Sequence, residues 1–254
     1  MSSDSIPEPL PVPSATPADS PFRTEPTARD EAPQFVLPLV VHIEKADPPA
    51  RNDALVTAAR AVLTILSDPR SLGEDEGAGE GEWAQAMRDW QDARIRKVVR
   101  RARGAEWRKA CTLPGITVTG ERAEVRVYPP VPLDGWPKEL AKLQVSGTDL
   151  EDAEPPAAPA LDGPVLWMSP ETGMSAGKAM AQAGHGAQLA WWELSDTERK
   201  AWREAGFPLS VATPDAGHWR ELAASGLPVV RDAGFTEIAP GSSTVVADHP
   251  ALRH

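Results

Sequence analysis

The sequence predicts an α/β protein that contains two tandem copies of one small unit, each a mixed four-stranded sheet flanked by helices in three layers (α/β/α). Three observations support this prediction. Apolar, β-branched runs typical of buried strands alternate with segments whose apolar residues recur at helical spacing. The same order of strands and helices then occurs a second time along the chain. The tripeptide "LSD" closes the first long helix of each half, at 66–68 and at 194–196.

Composition divides the chain into four segments. Residues 1–34 carry eight prolines and cannot bury enough apolar area to offset their conformational entropy, so we expect a disordered tail. The first α/β unit occupies 35–145. A proline-rich, acidic linker follows at 146–162, and the second α/β unit occupies 163–254.

Each element is predicted from its own local pattern: apolar runs for strands, helical spacing for helices, and glycine, proline and acidic clusters for loops. In the first unit the predicted order is a strand (35–44), a helix (52–68), an acidic loop (70–82), a short helix (82–91), a strand (93–102), a helical turn (104–110), two strands around "TGE" (115–130) and a short helix (137–144). In the second unit it is a strand (163–170), a long helix (175–196) with an extension (197–205), a strand (207–215), a helix (216–226) and two strands (227–234 and 243–250).

Charge, cysteine content and hydropathy exclude several classes of protein. The formal net charge is −11, but the acidic residues are concentrated in 1–34, 73–82 and 149–162. The remainder of the chain is mildly basic, so an RNA partner is not excluded. The single cysteine, Cys111, cannot form an internal disulfide, and we expect a cytoplasmic protein. We expect no membrane association, because no apolar run reaches the ~20 residues of a span and the first residues lack the features of a secretory signal.

The segment "MSAGKAMAQAGHGAQ" (174–188) carries the first candidate functional residues. Lys178, Gln182 and His185 follow one another at i, i+4 and i+7, so they share one face of the predicted helix. Small residues fill the gaps, which allows another group to approach closely. A lysine in the first turn opposes the helix dipole, but it suits an anion that would meet both the ammonium and the helix N-terminus. The alternative is a solvated Lys178 and a His185 that packs in the core.

Residue spacing argues against a phosphate-binding loop or a metal site in this segment. A Walker loop has four residues between its glycines and a hydroxyl after the lysine, whereas Gly173 and Gly177 are one residue too close and Ala179 follows the lysine. The histidines are scattered, with no paired cysteines and no carboxylate at helical spacing from His185, so we predict no metal site and no cofactor. The nucleophile motif G-x-S-x-G is absent.

The C-terminal stretch "GLPVVRDAGFTEIAPGSSTVV" (226–246), together with "GKAMAQAGH" (177–185), resembles the archaeal/eukaryotic-type (type 2) peptidyl-tRNA hydrolases. That family has a glycine-lysine helix with Gln and His at +4 and +7, and ends with a G-L-P…R-D-A-G-x-T-x-I-A-P-G-x-x-T-V-L motif. The resemblance covers roughly 163–250. It implies cleavage of the ester that joins a peptide to the terminal ribose of tRNA, with peptidyl-tRNA and not DNA as the partner.

The resemblance also implies roles for particular residues. Lys178, Asp232, Thr236 and Thr244 would form the polar active centre. Asp232 would orient or activate water, Lys178 would stabilise negative charge or a phosphate, and the threonine hydroxyls would hold the water or the carbonyl. The residues expected to contact the substrate or the tRNA in this half are Gln182, His185 and Arg231. Gln182 and His185 could equally fix the helix against the sheet.

The chain also departs from the family pattern. Phe235 stands where the family usually has a basic residue, which removes one RNA contact. Most members are single-copy dimers, whereas here a diverged copy comes first, with Asp53 near the lysine position and Arg60 near the histidine position. We therefore expect a catalytically inactive first half that takes the place of a dimer partner, giving a monomeric pseudo-dimer.

A basic stretch in the first half, 94–109, predicts a surface for tRNA. Its candidate contact residues are Arg94, Arg96, Lys97, Arg100, Arg101, Arg103 and Trp107. The alternative for this stretch is a solvated face that pairs with the acidic loops of the protein. The alternative for the whole chain is a non-catalytic tRNA/RNA- or protein-binding relative of the family.

Overall fold

The computed structural model describes residues 33–72, 81–234 and 237–253. Nearly all of the predicted disordered tail (1–34) and most of the acidic loop (70–82) lie outside the described residues. Phe235 and Thr236, both singled out in the sequence, also lie outside them.

The first half folds into β1 (Phe35–His42), α1 (Arg51–Leu66), α2 (Pro69–Leu72), α3 (Ala84–Asp92), β2 (Arg96–Ala102), α4 (Gly104–Ala110), β3 (Ile116–Thr119), β4 (Glu124–Val127), β5 (Val131–Pro132) and α5 (Lys138–Ala141). Strand β1 pairs in parallel with β2 and antiparallel with β4, and β3 pairs antiparallel with β4. The short β5 adds to the same sheet beside β1. Strand β1 lies at the centre of this sheet because six of its eight residues are buried apolar side chains or buried proline.

The second half folds into β6 (Val165–Met168), α6 (Ala176–Glu193), α7 (Asp196–Glu204), β7 (Ser210–Ala212), α8 (Ala216–Ala224), β8 (Val229–Arg231), β9 (Ser243–Asp248) and a 3₁₀ turn (Pro250–Leu252). Helices α6 and α7 are separate because Ser195 and Glu198 form a capping box that starts α7. Strand β6 pairs in parallel with β7 and antiparallel with β9, and β8 pairs antiparallel with β9.

The two sheets share one topology. Their strand orders are β2-β1-β4-β3 and β7-β6-β9-β8, and corresponding pairs have the same orientation. The prediction of an α/β protein with two mixed, helix-flanked sheets is confirmed. The prediction of four strands in each sheet is wrong for the first sheet, because the short β5 adds a fifth strand beside β1.

The core lies between the two sheets, where α1 and α6 pack against each other. One continuous cluster of buried side chains includes Leu39 of β1, Val62 of α1, Met180 of α6 and Leu166 of β6. Two smaller clusters lie elsewhere. One joins β1 and the end of β4 to α4 and α5, and the other joins β6 and β9 to α8. The two halves thus share one hydrophobic core.

Two glycines of α6 allow the close packing that the small residues had suggested. A Cβ on Gly184 would lie 2.8 Å from Val62 Cγ2 of α1, and one on Gly186 would lie 2.7 Å from Val245 Cγ1 of β9. Gly184 therefore faces the first half and Gly186 faces the sheet of the second. The group that approaches this helix closely at these positions is the protein itself.

The start of the predicted linker (146–162) is an ordered part of the fold. Thr148 Oγ1 accepts a hydrogen bond of 2.9 Å from the amide of Gly177, in the first turn of α6. Asp152 Oδ1 accepts one of 2.8 Å from the amide of Asn52, in the first turn of α1. Leu150 between them is buried in the shared core. Residues 148–152 therefore cap both central helices, which a free spacer would not do.

Candidate functional site

Lys178 and Asp232 meet at the edge of the second sheet. Lys178 lies in the first turn of α6, and Asp232 follows β8 directly. The lysine Nζ donates to Asp232 Oδ2 at 2.5 Å, with both side chains largely shielded from solvent, at 14% and 7% exposure. A close, shielded pair of this kind fixes the positions of both charged groups.

Gln182 joins this ion pair to the interior of the sheet. Its Nε2 donates to Asp232 Oδ2 at 2.7 Å, and its Oε1 accepts from the hydroxyl of Thr244 at 2.6 Å. Thr244 lies in β9 and is fully buried. A chain of hydrogen bonds thus runs from Thr244 through Gln182 and Asp232 to Lys178. Lys178 and Gln182 both reach Asp232 because they are one helical turn apart.

This geometry changes the role expected for Thr244. The sequence suggested that its hydroxyl would hold a water or the substrate carbonyl. The hydroxyl is instead buried, and its single proton is given to the amide oxygen of Gln182. Thr244 therefore orients Gln182 and does not itself reach a substrate.

The carboxylate of Asp232 is held from three sides. Besides Lys178 and Gln182 on Oδ2, the amide of Gly234 donates to Oδ1 at 2.8 Å. Gly234 has a φ of +77°, in the left-handed region that favours glycine, so it can fold its amide back onto the aspartate. A carboxylate offers about four acceptor positions, and one on Oδ1 is left for a water molecule or a substrate group.

The N-terminus of α6 is already occupied by the protein. Ser175 is the N-cap, and its hydroxyl oxygen accepts from the amide of Lys178 at 3.3 Å, while Thr148 accepts from Gly177. Glu237 in turn accepts from the amide and the hydroxyl of Ser175 at 2.9 and 2.7 Å. Thr148 and Ser175 already accept from the amides of Gly177 and Lys178, so these two amides do not offer their N–H groups to an anion. The ammonium group of Lys178 remains the cationic group at this end of α6.

A cavity of about 470 Å³ lies beside the ion pair, between the two halves. The second half contributes Lys178, Gln182 and Asp232 to its wall. The first half contributes mainly apolar residues, among them Leu133 and Val145, which are 42% and 53% exposed. The site is therefore a cleft with a polar wall from the second half and a wall of apolar and basic residues from the first.

A buried contact between the halves adjoins the same cavity. Lys97 Nζ of β2 lies 3.1 Å from His185 Nδ1 and 2.5 Å from Gln188 Oε1, both on α6. Burial lowers the pKa of Lys97 well below its ordinary value. Burial, aided by the charges of Lys97 and Lys178, lowers the pKa of His185 well below its ordinary value. Both groups line the cavity.

The basic stretch of the first half is divided between two places. Arg94, Arg96 and Lys97 line the cavity, as does Arg231 of β8. Arg100 donates to the carbonyl oxygens of Ala141 and Leu143 instead.

The other members of the stretch lie away from the cavity lining. Arg101 donates to the carbonyl of Ser146, and Arg103 is the N-cap residue of α4, where its side chain makes no capping hydrogen bond. The indole of Trp107 is buried and stacks on His42, with ring centroids 4.7 Å apart. In this structure that indole is used for packing and is not presented to a base.

Asp53 of the first half has a structural role. It lies in the first turn of α1, as Lys178 does in α6. Its carboxylate accepts from the amides of Glu121, Arg122 and Ala123 at 2.7 to 3.0 Å, which fixes the turn between β3 and β4. The corresponding corner of the first sheet is therefore filled by the protein's own backbone.

Thr148 and Glu237 belong to the site but were not predicted. Ser175, three residues before Lys178, carries the ordinary signal of a helix N-cap. Thr148 and Glu237 carry no local signal, because each reaches the start of α6 through tertiary contacts. Thr236 lies outside the described residues, so the structure gives it no position.

The described residues provide neither a clustered set of metal ligands nor a helix suited to a membrane. Within 33–72, 81–234 and 237–253, no group of three or more histidines, cysteines and carboxylates is placed to hold a metal ion. In the same ranges, no helix combines the length and apolar character that a membrane crossing requires.

The fold and the site define an α/β protein with a shielded lysine–aspartate pair on one wall of a cleft. A family model described as peptidyl-tRNA hydrolase PTH2 matches residues 165–254, from the start of β6 onward. The peptidyl-tRNA hydrolase of Pyrobaculum aerophilum is 36% identical over 90 residues, which is 31% of this chain and 75% of that relative. No solved structure matches the chain significantly. Through its second half, the chain belongs to the peptidyl-tRNA hydrolase PTH2 family.

Proposed function

We propose that this protein is a metal-independent hydrolase that cleaves the ester between a peptide and the terminal ribose of tRNA in the cytoplasm. The observation that carries the proposal is the Lys178–Asp232 contact of 2.5 Å on the wall of the cavity. Both residues match the motifs through which the family was recognised, and the chain of hydrogen bonds behind them holds the carboxylate in one orientation.

The chemistry follows from the donors and acceptors of this pair. The remaining acceptor position of Asp232 orients a water molecule whose oxygen attacks the ester carbonyl. Lys178 has two further N–H groups, which stabilise the negative charge on the carbonyl oxygen in the transition state. As the water attacks, it passes one proton to Asp232. The C–O bond to the ribose then breaks, the ribose oxygen takes that proton, and the peptide leaves as a carboxylate while the second proton of the water is released to solvent.

The first half fits the role of a built-in partner for the second. Both sheets have the same topology, α1 packs on α6, and Asp53 occupies the position of the lysine. We propose that the chain is a tandem duplication whose first copy has lost its catalytic centre and acts as the second member of a pseudo-dimer. We propose that Arg94 and Arg96, which line its side of the cavity, contact the phosphates of the tRNA acceptor end.

Release of the peptide from an N-blocked aminoacyl-tRNA tests the proposal. Wild type should release it, and Lys178→Ala and Asp232→Asn should lower kcat/KM by about 100-fold or more. Lys200→Ala is the matched control, since Lys200 is exposed on α7. Binding of the tRNA without release by wild type would support the non-catalytic alternative. Equal release by wild type and Lys178→Ala would show that the lysine is wrongly assigned.

A further inference from the structure

Lys97 occupies an unusual place for a lysine. It belongs to β2 of the first half, is only 8% exposed, and packs against α6 of the second half. No described carboxylate pairs with it. Its Nζ lies within hydrogen-bond distance of three polar atoms, namely Gln188 Oε1 at 2.5 Å, His185 Nδ1 at 3.1 Å and the carbonyl oxygen of Ile95 at 3.4 Å. The ring of Trp90 lies on another side, 4.9 Å from the nitrogen.

We infer that Lys97 is a positioning residue that fixes His185 as the neutral tautomer with its proton on Nε2, so that the first half completes the site of the second. The effect on catalysis rests on the proposed function. The contact itself does not, since it is a property of the folded chain.

The tautomer follows from the donors available. Below its lowered pKa, Lys97 is an ammonium group with three N–H donors and no acceptor, so Gln188 Oε1, the carbonyl of Ile95 and His185 Nδ1 all accept from it. A ring nitrogen that accepts a hydrogen bond cannot carry a proton, so the proton of a neutral His185 is on Nε2. The lowered pKa of His185, caused first by burial, agrees with a neutral ring.

Stability alone does not account for a lysine at this position. Burying an amine without a carboxylate partner is costly, and an apolar side chain of similar length would fill the space without that cost. The lysine instead supplies a fixed donor to a ring that lines the cavity beside Lys178. No described residue accepts from Nε2 of His185. That N–H is therefore available to an oxygen of the terminal nucleotide of the substrate.

Nuclear magnetic resonance of the full chain, labelled with ¹⁵N in its histidine rings, tests the inference directly. His185→Gln assigns the signal. Wild type should show the Nε2–H form of His185, and Lys97→Met should convert it to a mixture of tautomers. Lys109→Met, which changes an exposed lysine, should leave the signal as it is. A wild-type ring protonated on Nδ1, or a Lys97→Met signal identical to wild type, would overturn the inference.

Kinetics then separate this inference from the proposed function. Lys97→Met and His185→Gln should each lower kcat/KM by about 10- to 100-fold, and the double variant should be no worse than His185→Gln. Fully additive effects would contradict a shared role. Absence of hydrolysis by wild type would contradict the proposed function. The tautomer measurement would still show whether Lys97 donates to His185. If Lys97→Met fails to fold, the tautomer of wild type alone gives the decision.

Discussion

Thr244 shows how a residue can matter to a site that it does not touch. Its hydroxyl donates to the buried amide oxygen of Gln182, whose other end holds Asp232. A family motif can therefore include a residue because it orients its neighbour. Thr244 has no exposed surface through which it could do anything more direct.

Thr244→Val removes this donor while keeping the shape of the side chain. The free energy of unfolding should fall by about 1–3 kcal/mol, because a buried amide oxygen loses its hydrogen bond. The kcat of peptide release should fall more than the KM changes, since the carboxylate is less well fixed. Urea unfolding and steady-state kinetics measure both effects. Thr244→Ser, which restores the hydroxyl, should recover most of the activity; an inactive Thr244→Ser would argue against this role.

The buried amine of Lys97 predicts a dependence of stability on pH. Its pKa is lowered in the folded state by burial, whereas in the unfolded chain it is about 10.4. Between these two values the unfolded state binds a proton that the folded state does not, so stability rises with pH, by at most about 1.4 kcal/mol per pH unit. Lys97→Met lacks this contribution.

Urea unfolding at several pH values from 7 to 10 checks whether the free energy of unfolding rises with pH. The stability of wild type minus that of Lys97→Met should increase with pH above the lowered pKa of Lys97, whereas the difference between wild type and Lys109→Met should stay nearly constant. A constant difference for Lys97→Met would mean that the amine titrates in the folded protein as it does in the unfolded chain.

At the scale of single residues, the sequence predicted which side chains meet at this site better than it predicted the hydrogen bonds between them. Lys178, Gln182 and Asp232 were found through helical spacing and the family motif. Helical spacing cannot show that Thr244 gives its proton to Gln182, because that contact depends on the packing of α6 against β9. It also cannot show that Lys97, far away in the chain, reaches His185.

Among the elements, α6 is the one on which both halves depend. Its face toward the first half carries Gly184, and its face toward the second sheet carries Gly186. Alanine would be better than glycine in an isolated helix by about 1 kcal/mol, so the glycines are present for packing. The sequence predicted the helix and its small residues, but not which surface each one meets.

Gly186→Ala should destabilise the protein despite its higher helix propensity. The new Cβ would lie 2.7 Å from Val245 Cγ1 and 3.3 Å from Leu166 Cδ2, so β6 and β9 would have to shift. We expect a loss of about 1–3 kcal/mol in the free energy of unfolding, measured by urea denaturation. Gly173→Ala is the control, because its added Cβ would meet nothing within 4 Å. Equal stability of the two variants would contradict this packing.

The strands and helices followed from local patterns, whereas the linker did not. Proline and acidic residues predicted a spacer at 146–162, yet Leu150 is buried in the core and Thr148 and Asp152 cap α6 and α1. Composition describes the average of a segment. Three residues with specific partners are enough to order part of it.

For the whole molecule, the shared core predicts the state of association. The surface of α6 that faces Val62 is already covered by α1 of the same chain, so no second copy is needed to bury it. Sedimentation velocity at moderate salt should give a monomer of 27.2 kDa. A stable dimer of twice that mass at micromolar concentration would contradict the pseudo-dimer.

Residues 148–152 bear on how this protein can be shortened. The family match begins at residue 165, which invites an expression boundary just before β6. A fragment cut there would leave the amide of Gly177 without Thr148, the side of Gly184 open to water, and the cleft with one wall. Sequence similarity marks the portion that matches the family, but the smallest piece expected to keep this fold and both walls of the cleft begins at β1.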